Sequence, residues 1–131
     1  MVKKKSPSRG KLVSKLDTLF SQYIRRKNSQ DEMAQCFTCG KTDHWKKMQN
    51  GHFQSRNCYS TRWSELNCQV QCVACNMFKQ GQQYIFGQNL DVKYGEGTAH
   101  ELYMRSKMIL KITNPELKEM IEKYPFLLKE F

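Results

Sequence analysis

The sequence predicts a small α+β fold in which zinc stabilises a central module and helices flank that module on both sides. Two CxxC pairs, Cys36/Cys39 and Cys72/Cys75, have the spacing of a four-cysteine zinc site. Apolar residues recur at helical spacing before the first pair and again in the C-terminal third. The 131 residues suit one domain, and a metal helps to stabilise so small a core.

Residues 1–11 form a basic arm that we expect to be flexible. The arm carries five cations and no acid: Lys3, Lys4, Lys5, Arg9 and Lys11. It could follow a DNA backbone or act only as a solubilising tail. The whole chain has a net charge of +10, which favours a polyanionic partner, nucleic acid before an anionic membrane.

Residues 12–131 are predicted to form a single domain, with a zinc core at 35–81 and a helical extension at 82–131. The first helix runs from Leu12 to about Lys27, and a polar loop from Asn28 to Gln35 leads into the core. In the extension, Thr98 to Glu101 has the form of a capping box for a helix toward Lys111. A last helix begins at the Asn114-Pro115 pair and ends before Pro125.

The cysteines are interpreted as zinc ligands rather than as disulfides or buried thiols. Nothing at the N-terminus resembles a signal peptide and no run is apolar enough to span a membrane, so we expect a cytoplasmic protein with reduced thiols. Four thiolates leave zinc no open position, so the zinc is structural. Cys58 and Cys68 lack a CxxC partner and are expected to be buried or half-buried thiols.

Chemistry must then come from the segment that the zinc holds in place. Met48 to Phe53 could form a strand, and a short helix from about Val73 would end at Gly81. Three cations, Arg56, Arg62 and Lys79, are candidates for DNA-backbone contacts. Tyr59 and Trp63 could stack on an unpaired base at a junction, although Trp63 suits a core position equally well.

The order strand, His, loop, Asn, CxxC and Asn resembles the HNH, or ββα-metal, endonuclease signature. More narrowly, the run GHFxxRxxxSTRxxxxNxxxQCxxCN from Gly51 to Asn76 resembles the NinG (Rap) recombination proteins of lambdoid phages. The likeness extends from Leu12 through Tyr94. The paired zinc cysteines and the CxxCN knuckle are also similar to phage endonuclease VII. The resemblance implies a treble-clef-like ββα-metal core.

The resemblance implies catalytic roles for His52, Asn67 and Asn76. His52 matches the general base, Asn67 the residue that holds the His-bearing loop, and Asn76 a ligand of a catalytic Mg²⁺ or Mn²⁺. An unperturbed pKa near 6.5 leaves a histidine able to accept a proton from water. Asn76 could instead be only a helix N-cap.

Gly51 departs from the broad HNH pattern. Many HNH enzymes have an Asp or His metal ligand at this position, and glycine has no side chain to offer. Another group must therefore supply a ligand: His52 itself, which would then not be the base, or Glu65 or Asp43.

The resemblance implies a metal-dependent endonuclease that cuts branched DNA, such as displacement loops and Holliday junctions, by attack of a His-activated water on a phosphodiester. The expected partners are DNA and, for symmetric junctions, a second copy of the chain; no membrane or small-molecule substrate is expected. Two alternatives stay open: a sequence-specific homing or restriction nuclease, and a non-catalytic zinc module that binds DNA.

Overall fold

The structure is a computed structural model that describes residues 6–131. Lys3, Lys4 and Lys5 of the predicted arm lie outside the described residues. Helix α1 covers Arg9–Lys27 and so begins at Arg9 rather than at Leu12. The earlier start has a local cause, because the Ser8 hydroxyl accepts a hydrogen bond from the Lys11 amide (3.3 Å) and caps the helix. Arg9 and Lys11 are therefore helical and not part of an extended arm.

Two antiparallel sheets follow the first helix. The first sheet has three short strands in the order β1 (Ser29–Gln30), β2 (Met33–Gln35) and β3 (Thr42–His44). It occupies part of the segment predicted as a loop, because Asp31 and Glu32 adopt positive φ angles and turn the chain back on itself. The second sheet is a hairpin of β4 (Gln49–His52) and β5 (Cys68–Gln71), and β4 confirms the strand predicted around Gly51.

The remaining elements are helical. Helix α2 (Tyr59–Arg62) lies in the connection between β4 and β5. After β5 come a π-helical turn (Ala74–Phe78), a 3₁₀ turn (Gln80–Gln82), α3 (Gln83–Tyr94), α4 (Thr98–Ser106) and α5 (Asn114–Leu128). The short helix predicted to run from Val73 to Gly81 is two turns, the first of which ends at Phe78, and Gly81, with φ of 77°, lies inside the second. No helix between residues 6 and 131 is both long and apolar enough to cross a membrane.

Three details of the C-terminal extension differ from the prediction. The capping box lies at Thr113 and Glu116, whereas Gly97 precedes α4 and the Thr98 hydroxyl donates to the Gly95 carbonyl. Helix α4 stops at Ser106, well before Lys111. Pro125 lies inside α5 and does not end it, because Tyr124 and Leu127 on either side pack into the core and keep the last turn in place.

The β4–β5 hairpin lies between two apolar cores. The larger core joins α1 and α5 to the hairpin through residues that include Leu16, Phe20, Val70 and Leu117. A smaller core of Phe86, Leu90 and Leu102 packs against Phe37 and Phe53. The α+β class and the flanking helices are thus as predicted, and the hairpin that carries His52 is held from both sides.

Candidate active site and metal centre

The four CxxC cysteines come together as predicted. The sulfurs of Cys36, Cys39, Cys72 and Cys75 all lie within 4.8 Å of one another, and those of Cys39 and Cys72 are 3.6 Å apart. Four sulfurs at about 2.3 Å from one zinc would be separated by about 3.8 Å, so the cluster fits a tetrahedral zinc site. Cys68 is buried and Cys58 half-buried outside this cluster, as expected for simple thiols.

Each knuckle stabilises its first sulfur with backbone donors. The Cys39 amide donates to the Cys36 sulfur and the Cys75 amide to the Cys72 sulfur, both at 3.5 Å. Burial by itself would raise the pKa of Cys36, but the Thr38 hydroxyl and the nearby backbone amides more than offset that effect and lower the pKa to about 6. The Cys36 sulfur is therefore suited to be a thiolate, the form that binds zinc, whereas burial raises the pKa of Cys75 to about 12.

An open cleft of about 810 Å³ lies beside this metal centre. The hairpin, α1 and the turns after the second knuckle form its walls. His52 and Asn76 both line it, so two of the three predicted catalytic residues share one cavity. Asn67 does not line the cleft and is fully buried.

His52 is held in one tautomer. Its Nε2 atom lies 3.0 Å from the backbone carbonyl of Arg62. Because a carbonyl can only accept a hydrogen bond, Nε2 carries the proton and Nδ1 keeps its lone pair. Burial lowers the pKa of His52 below its ordinary value, an effect that the Arg62 carbonyl partly opposes and the charge of Arg56 reinforces. The ring is therefore neutral near pH 7 and able to accept a proton at Nδ1.

Asn67 braces the turn that directly follows His52. Its Oδ1 accepts a hydrogen bond from the Gln54 amide (2.7 Å), and its Nδ2 donates to the Gln54 carbonyl (3.1 Å). The Phe53 amide also donates to the Asn67 carbonyl (2.8 Å). One buried side chain thus satisfies both backbone groups of Gln54 and fixes the exit of β4.

Asn76 is not a helix cap. The π-helical turn begins after Val73, so Asn76 lies inside it, and its Nδ2 donates to the Gln49 Oε1 (2.7 Å). This bond orients the side chain toward the cleft and leaves Oδ1 as an oxygen that could bind a cation.

Gly51 on β4 lies against the buried side chain of Gln71 on β5. A Cβ atom added at Gly51 would lie only 2.6 Å from Cδ and 2.8 Å from Cγ of Gln71. Gln71 is fully buried, and its Nε2 donates to the Gly81 carbonyl (2.8 Å) and to the Thr38 hydroxyl (3.1 Å). Its Oε1 has no conventional hydrogen-bond partner and points at Gly51. Gln71 therefore links the first knuckle and Gly81 to the strand residue before His52, a role that sequence reasoning missed.

One of the three predicted cations lines the cleft and two do not. Arg56 lines the cleft, but the Arg62 guanidinium is mostly buried and binds Asp17 of α1, with Nε at 3.1 Å from Oδ1. Lys79 is exposed and does not line the cleft. Lys46 and Lys47, in the 3₁₀ turn before β4, do line it. Their position next to the predicted strand was the sequence signal that could have identified them as cleft residues.

The acids proposed to replace a ligand at Gly51 lie elsewhere. Glu65 pairs with Lys27, and Asp43 accepts a hydrogen bond from the His44 amide. Asp17 is the one acid among the described residues that line the cleft, and it also accepts from the Trp63 indole (2.9 Å). The donors that remain are neutral: His52 Nδ1, Asn76 Oδ1 and the Oδ1 of Asn50, which is buried without a partner. Imidazole nitrogens and amide oxygens are atom types that can bind a divalent cation.

A family model described as the bacteriophage lambda NinG protein matches residues 1–131 of the chain. No curated protein and no solved structure matches it.

Proposed function

The chain belongs to the NinG family, a phage family associated with recombination, and we propose that it is a metal-dependent endonuclease that cuts branched DNA. The observation that carries the proposal is the state of His52. A neutral imidazole with Nδ1 unprotonated lines a cleft whose cations, among them Lys46, Lys47 and Arg56, suit a DNA backbone.

In this proposal each residue has a separate task. His52 Nδ1 accepts the proton of the attacking water, and the Arg62 carbonyl keeps the ring oriented. Asn67 holds the turn after His52. Asn76 and Asn50 would hold a divalent cation, Mg²⁺ or Mn²⁺, which would neutralise charge on the phosphate. A zinc held by the four cysteines would have no open position and would serve only to fix the hairpin and the turn that bears Asn76.

Lys46, Lys47 and Arg56 would bind phosphates on both sides of the cut. Such contacts fix position without reading sequence. A branched target is therefore recognised by shape, and a four-way junction requires two symmetric cuts, for which we propose two copies of the chain.

A non-catalytic zinc module that binds DNA is the second candidate. It is favoured by one observation: the only acid that lines the described part of the cleft, Asp17, is already bound by Arg62 and Trp63. Divalent cations at phosphodiesterase sites usually receive at least one free carboxylate.

Cleavage of three matched DNAs decides between the two candidates. The substrates are a linear duplex, a displacement loop and a four-way junction of the same sequences, each tested with Mg²⁺, with Mn²⁺ and without either metal. The buffer contains no chelator, so that the zinc stays bound. We expect metal-dependent cutting of the branched DNAs above the linear duplex. Binding of all three without any cutting would instead support the zinc module.

A further inference from the structure

Three large apolar side chains, at or next in sequence to residues that line the cleft, are exposed to solvent. Phe78 and Tyr84 each expose 79% of their surface, and Met77 exposes 61%. Met77 lines the cleft directly, Phe78 follows it in sequence, and Tyr84 follows Gln83, which also lines the cleft. The Gln83 Nε2 donates to the His52 carbonyl (3.3 Å), so the residue before Tyr84 is bonded to the strand that carries His52. We name Phe78 and Tyr84, the two aromatic members of this group, the aromatic rim.

Packing does not explain why these side chains are large and apolar. Neither apolar core includes Phe78 or Tyr84, although Phe86 and Leu90 of the same helix α3 are completely buried. The Tyr84 hydroxyl accepts one hydrogen bond, from Gln88 (3.2 Å). This bond is made to the hydroxyl and does not involve either face of the ring. Exposed apolar groups beside a cleft mark an interaction surface more often than a structural one.

The aromatics expected to stack on DNA are occupied. Trp63 and Tyr59 pack against the larger core and against each other, with ring centroids 5.3 Å apart. The guanidinium of Arg62 lies over both rings, at 5.3 Å and 5.6 Å. The Trp63 indole also donates to Asp17. A base cannot stack on these rings without disrupting the contact between α1 and α2.

The charge around the aromatic rim indicates the partner. Lys46, Lys47 and Arg56 line the same cleft, Lys79 follows Phe78, and the chain carries a net charge of +10. A ligand that offers flat apolar faces together with negative charge is DNA with unpaired bases. In a linear duplex the base faces are stacked inside the helix, so only a branch, gap or single strand presents them.

We propose that unpaired bases at the branch point stack on Phe78 and Tyr84, and that this contact gives the protein its preference for branched over linear DNA. The proposal deepens the proposed function, on which it depends for the substrate, and names the residues that would read the branch. Stacking is sequence-tolerant because every base has a π face, so the preference is for shape.

The test measures binding separately from cutting. A displacement loop with 2-aminopurine in its unpaired strand and the matched linear duplex are titrated with the full chain, without Mg²⁺ or Mn²⁺ and with zinc bound. The proteins are the wild type, Phe78→Ala, Tyr84→Ala and the control Phe126→Ala. Phe126 on α5 is similarly exposed (71%), and neither it nor its sequence neighbours line the cleft. Because all three side chains are exposed, we expect the variants to fold as the wild type does.

We expect each rim variant to bind the displacement loop about tenfold more weakly, the effect typical of losing one stacked base, with affinity for the linear duplex unchanged. The wild type should quench 2-aminopurine, and the rim variants should quench it less. Phe126→Ala should match the wild type in every respect.

Wild-type affinity and quenching in both rim variants would overturn the proposal, as would an equal loss on linear and branched DNA. So would a wild-type dimer, by light scattering, that Phe78→Ala converts to monomers, since a second copy would then cover the rim. Failure of the proposed function looks different: the wild type would cut no substrate in either metal, whatever the binding titrations show.

Discussion

Gly51 and Gln71 form a steric interlock that predicts a large non-additive effect of mutation. An alanine at position 51 would place its Cβ inside the Gln71 side chain, 2.6 Å from Cδ. Gln71 cannot swing aside, because it is fully buried and bonded to both Gly81 and Thr38. Either the Gly51 strand shifts or Gln71 leaves its hydrogen bonds.

The cost follows from those two contacts. Overpacking a well-packed site costs about 1–3 kcal/mol, and each lost hydrogen bond adds about 1 kcal/mol. Because the two responses are alternatives, we expect Gly51→Ala to destabilise the protein by about 1–3 kcal/mol. Gln71→Ala should cost about 2–4 kcal/mol, because it leaves the Gly81 carbonyl unpaired and opens a cavity.

In the double variant the methyl group added at position 51 enters the space that the Gln71 side chain vacates. The cost of Gly51→Ala then disappears, so the double variant should be more stable than the sum of the single changes predicts by about 1–3 kcal/mol. Urea unfolding at one fixed zinc concentration measures all four proteins. Gly10→Ala is the matched control, since nothing lies within 4 Å of its added Cβ, and it should be stabilising by about 0.5–1 kcal/mol. Additivity within about 0.5 kcal/mol would refute the interlock.

Three further predictions concern the parts of the site separately. Asn67→Ala should destabilise the protein by about 1–3 kcal/mol and speed hydrogen exchange at the Gln54 amide, because both backbone groups of Gln54 lose their partner; unchanged exchange there would contradict the bracing role. The cleavage rate should rise with pH through a midpoint below 6.5 and then level off, because only neutral His52 accepts a proton. Arg56→Gln removes a charge that lowers the pKa of His52, so it should move that midpoint upward in single-turnover assays. An unchanged or lower midpoint would count against His52 as the base. Cys72→Ser should lose zinc, measured by atomic emission, and should unfold the hairpin, whereas Cys58→Ser outside the cluster should keep its zinc. Equal zinc contents in the two variants would show that Cys72 is not a zinc ligand.

The features that were predicted best are those that a short-range pattern of residues encodes. Each knuckle is local, so the cysteine spacing was sufficient for the cluster, and the periodicity of apolar residues was sufficient for α1. The place of Asn67 in the motif also led to its observed contacts with the turn after His52.

Long-range polar contacts could not be predicted in this way. The burial of Arg62 depends on Asp17 of α1, which is far from it in sequence and carries no motif. A completely buried Gln71 contradicts the usual pattern for glutamine, and only its bonds to Thr38 and Gly81 explain it. Pro125 stays helical because tertiary packing outweighs a local helix-breaking preference.

In the proposed function, cutting takes place at His52 while the zinc is only structural. Single-turnover cleavage of a four-way junction in Mg²⁺ by the wild type and by His52→Ala tests it most directly, with zinc content and junction affinity measured on the same samples. We expect His52→Ala to lose cleavage by at least about 100-fold, the usual contribution of a general base, while its zinc content and affinity stay at wild-type values. Cleavage by His52→Ala at the wild-type rate would show that His52 is not the base.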